Sequence, residues 1–320
     1  MERIAAVIVT FNRKEKLRRC IEAVLRQIVS ASPDIIVIDN NSSDGTGEMV
    51  RSISADNPGR IIYKRLSCNG GGAGGFSYGV REAVEAGYEK LWLMDDDCIP
   101  SVNALEEFMK FDREYNARIG GDGAACRGVS CGFLTGRVLW RDGSLCRMNI
   151  QRETVFHNIS SQKLKALDSP CRVEMASFVS LFISAEIVKD VGLPLKEFYI
   201  WTDDWEYTRR ISRRYPCWLV PSSEVVHDTE CNTGADIASA DTERTGRFRF
   251  LYRNDVYLYR REGIRGFMYE TARLALHTAR IAISRNSTAE KCRRLGIMYK
   301  ATMEGLYFRP IPERITEKGF

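Results

Sequence analysis

The 320-residue sequence predicts an α/β fold in which helices flank a mostly parallel sheet, followed by a C-terminal helical extension. Short β-branched runs alternate with helical patterns over the first hundred residues, which is typical of βαβ units. Polar clusters follow several of these runs. In α/β folds, ligands bind at the carboxyl ends of parallel strands, so these clusters are candidate ligand-binding residues. After Gly246, helical patterns continue nearly to the end of the chain.

Each element is predicted from its apolar pattern. The predicted strands are 5–10, 35–38, 61–66, 91–94 and 136–140, with a further apolar run over 217–227. The predicted helices are 13–27 and 76–86, and residues 175–188 are interpreted as a strand entering a helix. Small and polar residues over 229–246 predict a mobile loop.

The composition is that of a soluble globular protein, with 44% apolar and 28% charged residues. It excludes wholesale disorder and collagen-like repeats. The net charge of +5 is unevenly distributed. Residues 244–320 hold 17 Lys and Arg against 7 Asp and Glu, a net charge of +10, so the preceding residues carry −5. The chain therefore has an acidic body and a basic C-terminal segment.

The sequence gives no sign of export or of membrane insertion. No apolar run approaches the ~20 residues of a membrane span, and the N-terminal apolar stretch is too short for a secretory signal. The ten cysteines form no CxxC pair, so we expect reduced thiols in the cytoplasm and neither a disulfide framework nor a zinc site.

The run Gly70–Gly75 matches the dinucleotide-binding pattern G-x-G-x-x-G, with Asp95 twenty residues after Gly75. However, it follows the third predicted strand, whereas that fingerprint belongs to the first βα turn. A nicotinamide dehydrogenase is therefore a minor alternative. We interpret the run as a loop whose backbone approaches a ligand closely.

Three consecutive aspartates follow the fourth predicted strand. Because side chains alternate along an extended chain, Asp95 and Asp97 share one face and Asp96 points away. Two carboxylates on one face suit Mg²⁺ or Mn²⁺, which would also offset their repulsion. The alternative is an acidic turn capping the next helix.

A second acidic group, Asp203, Asp204 and Glu206, lies among aromatic residues. Aromatic surroundings bind sugar rings and raise the pKa of a carboxylate towards that of a useful base. The structural alternative is a helix that Thr202 caps and in which Glu206 pairs with an arginine. Both interpretations can hold together.

Of the three histidines, His227 ends an apolar run and is the candidate third metal ligand. We expect His157 and His277 to be surface or packing residues. Arginines and apolar residues alternate over Arg265–Arg285, a helix that either lies on an anionic membrane or packs within the protein.

Together these motifs resemble family 2 glycosyltransferases of the GT-A fold, and most closely the galactofuranosyltransferases that extend bacterial cell-surface glycans. The matching residues are Thr10–Arg13, Asn69 with Gly71–Phe76, Met94–Asp97, Trp201–Glu206, His227 and Tyr252–Asn254. They follow the order of the family and cover residues 3–260.

The resemblance implies a role for each motif. Asp95, Asp97 and His227 would hold Mn²⁺ or Mg²⁺, and Asp204 would be the catalytic base. The acceptor and the sugar rings would contact Trp201, Asp203 and Trp205. The donor would contact Thr10, Phe11, Arg13, Asp39, Asn69, Gly71, Gly72 and Asp96.

The expected activity is inverting transfer of a sugar, with UDP-galactofuranose as the favoured donor, to a hydroxyl of a glycan or lipid-linked acceptor. A dTDP-rhamnose or other UDP-hexose donor is the nearest alternative. More remote alternatives are a metal-dependent nucleotidyltransferase or phosphohydrolase and a non-catalytic sugar-binding module. We expect a catalytic domain over 1–230, and over 231–320 a mobile loop with a basic helical region.

Four expectations concern partners and location. We expect no nucleic-acid partner, because no recognition motif accompanies the basic segment. We leave open whether the chain contacts an anionic membrane at its inner face, binds acceptor phosphates or associates with further copies of itself.

Overall fold

The computed structural model describes residues 2–119 and 129–315. Within these ranges the strands are β1 (Ile4–Thr10), β2 (Asp34–Asp39), β3 (Ile61–Arg65), β4 (Lys90–Asp95), β5 (Cys98–Pro100), β6 (Leu134–Trp140), β7 (Arg152–Thr154), β8 (His157–Asn158), β9 (Cys171–Arg172), β10 (Leu181–Ser184) and β11 (Trp218–His227). The helices are α1 (Lys14–Leu25), α2 (Thr46–Asp56), α3 (Gly71–Glu85), α4 (Ala104–Ile119), α5 (Ser161–Lys165), α6 (Ala185–Val191), α7 (Asp203–Ser212), α8 (Thr242–Thr245), α9 (Phe248–Arg260), α10 (Gly263–Ile283) and α11 (Thr288–Tyr307).

The central sheet has the strand order β3-β2-β1-β4-β10-β6-β11-β5, and β9 pairs with β11. Strands β1 to β4 are parallel, β10 is antiparallel to both β4 and β6, and β11 is parallel to β6. Six strands therefore point the same way, and the carboxyl ends of β1, β2, β4 and β11 lie at one edge. The predicted mostly parallel sheet is confirmed.

Both faces of the sheet are covered, as expected of a parallel sheet built from βαβ units. Every residue of β1 is buried. Ala5, Val7 and Val9 pack into one apolar cluster, and the alternate residues of the strand pack into the other. Because β1 is packed on both faces, the position of Thr10 at its carboxyl end is fixed. Thr10 lies at the edge of the sheet where the polar clusters lie.

The start of α3 differs from the prediction, because Gly71–Gly75 belong to the helix and not to a loop. The backbone N–H of Gly71 donates to Asn69 Oδ1 at 2.8 Å, which helps to start the helix. A Cβ on Gly75 would lie 2.4 Å from Val9 Cγ1, so this glycine lets α3 approach the sheet. Gly71 and Gly75 therefore serve packing, whereas a Cβ added to Gly72 would meet no atom within 4 Å.

The other predicted elements are present, whereas no prediction covered α2 or α4. Residues 175–188 contain β10 and enter α6. Segment 229–246 lacks regular structure apart from α8, and Asn232 Nδ2 donates to Leu145 O at 2.9 Å. Its mobility stays a prediction, as does the division near residue 230.

Helices α9, α10 and α11 share an apolar cluster that includes Phe248, Tyr252, Ile281 and Met298. None of the helices within residues 2–119 and 129–315 combines the length and hydropathy needed to span a membrane. Over the same ranges no disulfide links the cysteines, whereas Cys126 lies outside the described residues.

Gly71 offers a test of how α3 is positioned. Its φ is +73°, and an added Cβ would lie 2.0 Å from Tyr199 O. We expect Gly71→Ala to lower the free energy of unfolding by about 3 kcal/mol, measured by urea denaturation. Gly74→Ala is the matched control, since its Cβ meets nothing within 4 Å, and it should raise stability by up to ~1 kcal/mol. Equal effects of the two substitutions would contradict this account.

Candidate functional site

Two strand ends and one turn bring three potential metal ligands together. Asp95 ends β4, Asp97 follows it, and His227 ends β11. One ligand atom from each lies within 4.8 Å of the others, and His227 Nε2 is 3.1 Å from Asp97 Oδ1. Two carboxylate oxygens and an imidazole nitrogen fit a divalent cation such as Mn²⁺.

Cations from α1 and from the loop before it surround Asp97. Arg13 Nη1 lies 2.9 Å and Lys16 Nζ 3.4 Å from Asp97 Oδ2. Burial favours the protonated acid, but the hydrogen bond and charge of His227, with the charge of Arg13, lower the pKa of Asp97 to about 2. Conversely, burial lowers the pKa of His227, and its bond to Asp97 outweighs this and raises the pKa to about 10.

The other ring nitrogen of His227 has its own partners. His227 Nδ1 lies 2.8 Å from Asn149 Oδ1, and Cys146 Sγ lies 3.0 Å from the same oxygen. Since an amide oxygen only accepts, Nδ1 carries the proton and Nε2 turns towards Asp97. Such a bond commonly orients a metal-binding histidine.

The first two aspartates of the triplet have raised pKa values. Burial and the charge of Asp97 raise the pKa of Asp95 to about 7. Burial raises that of Asp96 to about 6 although Arg13 opposes it. Asp96 Oδ2 accepts from Thr10 Oγ1 at 2.7 Å, so Asp96 faces β1 while Asp95 and Asp97 face His227. The predicted alternation of the triplet is confirmed.

Helix α7 begins at the second acidic group. Burial raises the pKa of Asp203 to about 6, and burial together with the charge of Asp203 raises the pKa of Asp204 well above its ordinary value. Asp204 Oδ1 accepts from the Trp205 N–H at 2.7 Å. Glu206 pairs with Arg210 at 3.0 Å, which confirms its structural role.

Thr202 does not cap α7 through its side chain, contrary to the structural alternative. Its hydroxyl donates to Asp255 Oδ1 at 2.7 Å. Thr202 has a φ of +66°, and Tyr199 and Trp201 also have positive φ values. Non-glycine residues in this region are strained, so the surrounding contacts must hold the segment 199–202.

Asn254 of α9 supplies those contacts. The side chain is fully buried, and its Nδ2 lies 3.0 Å from Phe198 O, 3.3 Å from Ile200 O and 2.9 Å from Trp201 O. One amide group therefore serves three carbonyls of the turn before Asp203. Within the motif Tyr252–Asn254, Asn254 is thus the residue that positions the start of α7.

Helices α9 and α10 form the opposite wall of the site. Arg273 Nη2 pairs with Asp255 Oδ2 at 2.6 Å, and Tyr252 Oη lies 2.9 Å from His277 Nδ1. Arg152 stacks 4.6 Å from the ring centroid of Trp205, so that face of the ring is covered. Trp201 packs on Phe248, with 5.0 Å between ring centroids.

A cavity of about 550 Å³ joins the two walls. Its lining includes these predicted site residues: Arg13, Gly72, Asp95, Asp97, Trp201, Asp203, Asp204, Trp205 and His227. Thr10 and Asp96, whose side chains bond to each other, lie outside this lining. Phe11, Asp39, Asn69 and Gly71 are absent from the lining. Asp39 is buried, and its oxygens accept from Tyr63 Oη at 2.5 Å and from the Ser42 N–H at 2.8 Å.

Sequence reasoning missed several lining residues. Asn149 lies in a segment without a clear pattern, and only the folded chain brings it to His227. His277 was expected to be a surface or packing residue, yet it lines the cavity, whereas His157 is exposed as predicted. Glu270, Arg273 and His277 recur at helical spacing, a signal that they share one face of α10.

The fold is the GT-A fold, which the chain shares with glycosyltransferases among its structural neighbours. The family model described as Glycosyl transferase family 2 matches residues 5–159. This match confirms the resemblance to family 2 over these residues.

Three known proteins illustrate the similarity. Galactofuranosyltransferase GlfT1 of Mycolicibacterium smegmatis is 26% identical over 278 residues, 82% of this chain and 85% of that protein. The structure of S. aureus TarS 1–349 in complex with UDP-GlcNAc covers 93% of this chain and 72% of its own, with a TM-score of 0.52 and 13% identity. The mannosyltransferase PcManGT of Pyrobaculum calidifontis, in complex with GDP-Man and Mn²⁺, covers 95% and 84%, also with a TM-score of 0.52 and 13% identity.

The role of Asn254 can be tested without substrates. We expect Asn254→Ala to lower the free energy of unfolding by about 2–3 kcal/mol, because it leaves buried carbonyls without a donor. Hydrogen exchange of the peptide 199–206 should become faster, while exchange in β1 to β4 changes little. Arg249→Ala, on the exposed side of α9, is the control. Unchanged exchange of 199–206 in Asn254→Ala would contradict the positioning role.

Proposed function

We propose that this chain is a metal-dependent inverting hexosyltransferase of cell-surface polysaccharide synthesis. It would transfer a sugar from a nucleotide-sugar to a hydroxyl of a glycan or lipid-linked acceptor. The observation that carries the proposal is that Asp95, Asp97 and His227 line the same cavity as Asp204. A metal-ligand set and a dehydrated carboxylate are the two chemical elements that such a transfer requires.

On the donor side, Asp95, Asp97 and His227 would hold Mn²⁺ or Mg²⁺. When bound, the metal offsets the negative charge that develops on the departing diphosphate. The other donor contacts in the proposal are Thr10, Phe11, Arg13, Asp39, Asn69, Gly71, Gly72 and Asp96. Gly72 supports this assignment most directly, because it lines the cavity and has open space beside it.

On the acceptor side, Asp204 would take the proton from the acceptor hydroxyl as that oxygen bonds to the anomeric carbon. The bond from that carbon to the diphosphate oxygen breaks on the opposite face, which inverts the configuration. The raised pKa of Asp204 suits a base, and its bond to the Trp205 N–H orients the carboxylate. Trp201, Asp203 and Trp205 would position the sugars, together with Asp255 and His277 from the opposite wall.

UDP-galactofuranose is our favoured donor. The similarity to a galactofuranosyltransferase over most of both chains supports it. Complexes of structural neighbours with UDP-GlcNAc and GDP-Man keep other hexose donors as the alternative. A cytoplasmic location without a nucleic-acid partner completes the proposal.

The base assignment predicts a specific loss. We expect Asp204→Asn to lower the transfer rate by about 10²–10⁴-fold, because the amide cannot accept the proton, while nucleotide affinity stays nearly constant. Chromatography of products from a panel of nucleotide-sugars with Mn²⁺ measures this, and Asp56→Asn, at an exposed position, is the control. Full turnover in Asp204→Asn would refute the assignment. Release of pyrophosphate, in place of nucleoside diphosphate, would identify a nucleotidyltransferase.

The metal site predicts a pH dependence. Asp95, with a pKa of about 7, is mostly protonated at pH 6 and mostly ionised at pH 8, and His227, with a pKa of about 10, must also release a proton. The rise in Tm caused by Mn²⁺ and UDP should therefore be larger at pH 8 than at pH 6. We expect Asp97→Asn to abolish that rise at both pH values, and EDTA-treated protein gives the baseline. A rise that persists in Asp97→Asn would refute the ligand set.

A further inference from the structure

Helix α10 exposes an apolar stripe along its length. Ile264, Phe267, Met268, Leu276 and Ile283 are each 51–83% exposed. Alanines 272, 275, 279 and 282 are exposed between them. Arg265 and Thr271 are also exposed on this side, but most of the exposed residues are apolar, which is unusual on a 21-residue helix for a surface in contact with water alone.

The charges beside this stripe have a single sign. Arg265, Arg280 and Arg285 are exposed, and none of them forms an ion pair within residues 2–119 and 129–315. The only acid within α10 is Glu270, which is buried and bonded to Arg273. An apolar stripe with flanking arginines is the pattern of a helix that lies in the interface of an anionic bilayer.

The opposite face of the same helix lines the cavity. Arg273 and His277 both contribute to the cavity lining, and Arg273 is paired with Asp255 of α9. A helix with its side chains is ~10–12 Å across. A surface that covers the apolar stripe would therefore lie about one helix diameter from the cavity wall that α9 and α10 form.

We propose that α10 is an interfacial helix that docks this chain on a bilayer containing anionic lipids, with Phe267, Met268 and Ile283 entering the headgroup region. The catalytic cavity would then face a sugar that a lipid carries at the membrane surface. This last point rests on the proposed function, whereas the docking itself does not.

Charge favours a lipid surface over a second copy of the chain. A two-fold contact through α10 would bring the arginines of one copy against the equivalent face of the other. That face, as far as the chain is described, offers no exposed acid to pair with them. Anionic headgroups supply the missing opposite charge.

The test is binding of the full-length chain to vesicles of 70% phosphatidylcholine and 30% phosphatidylglycerol, measured by co-sedimentation at low salt. We expect Phe267→Ser with Met268→Ser to weaken binding at least tenfold, because less apolar surface enters the bilayer. Replacing Arg265, Arg280 and Arg285 with Gln should weaken it by about fivefold per arginine, and high salt should have a similar effect. Tm measurements verify that both variants fold.

Matched controls are Ile28→Ser and Arg26→Gln, which change equally exposed residues near the end of α1 and should bind as wild type does. The proposal is overturned if wild type does not bind, or if the α10 variants bind as tightly as the controls. It is also overturned if size-exclusion chromatography shows the serine variant breaking a wild-type oligomer, since a second copy would then cover the stripe. Vesicle binding needs no turnover, so loss of transfer with intact binding would count against the proposed function alone.

Discussion

The repulsion between carboxylates in one partly dehydrated cavity is the constraint on which the architecture depends. Asp95, Asp97, Asp203 and Asp204 all line the same cavity, and burial within the protein strengthens the repulsion between their charges. Arg13, Lys16 and His227 balance Asp97, whereas Asp95, Asp203 and Asp204 bind protons more strongly. A divalent cation relieves the same repulsion, so the features that make the cavity unfavourable without metal are those that favour metal binding.

The second requirement is that surrounding contacts hold a strained backbone turn in place. The turn over 199–202 contains three non-glycine residues with positive φ, and it delivers Asp203 and Asp204 to the cavity. Asn254 holds the carbonyls of this turn, and the hydroxyl of Thr202 reaches Asp255. Helix α9, one of the C-terminal helices, therefore helps to determine where the acidic pair lies.

Much of this arrangement follows from local pattern. The strand ends bring Asp95, Asp97 and His227 together as predicted, since parallel strands bring their carboxyl ends to one edge whatever their separation in sequence. The pattern failed where tertiary packing decided the outcome. Gly71–Gly75 were expected to form a loop, but close contact with β1 and with Tyr199 makes them the start of a helix. Asn149 and His277 could not be found locally, because their partners His227 and Tyr252 lie 78 and 25 residues away.

One contact joins the two halves of the cavity. The backbone of α3 touches the strained turn directly, with the Ala73 N–H donating to Tyr199 O at 3.1 Å and Gly71 packed against the same carbonyl. The helix that begins beside Gly72 and the turn that precedes Asp203 therefore share one point of attachment. In mechanical terms the two sides of the cavity are linked, so a displacement of the first turn of α3 would shift the carbonyl of Tyr199 and the turn that orients the acidic pair.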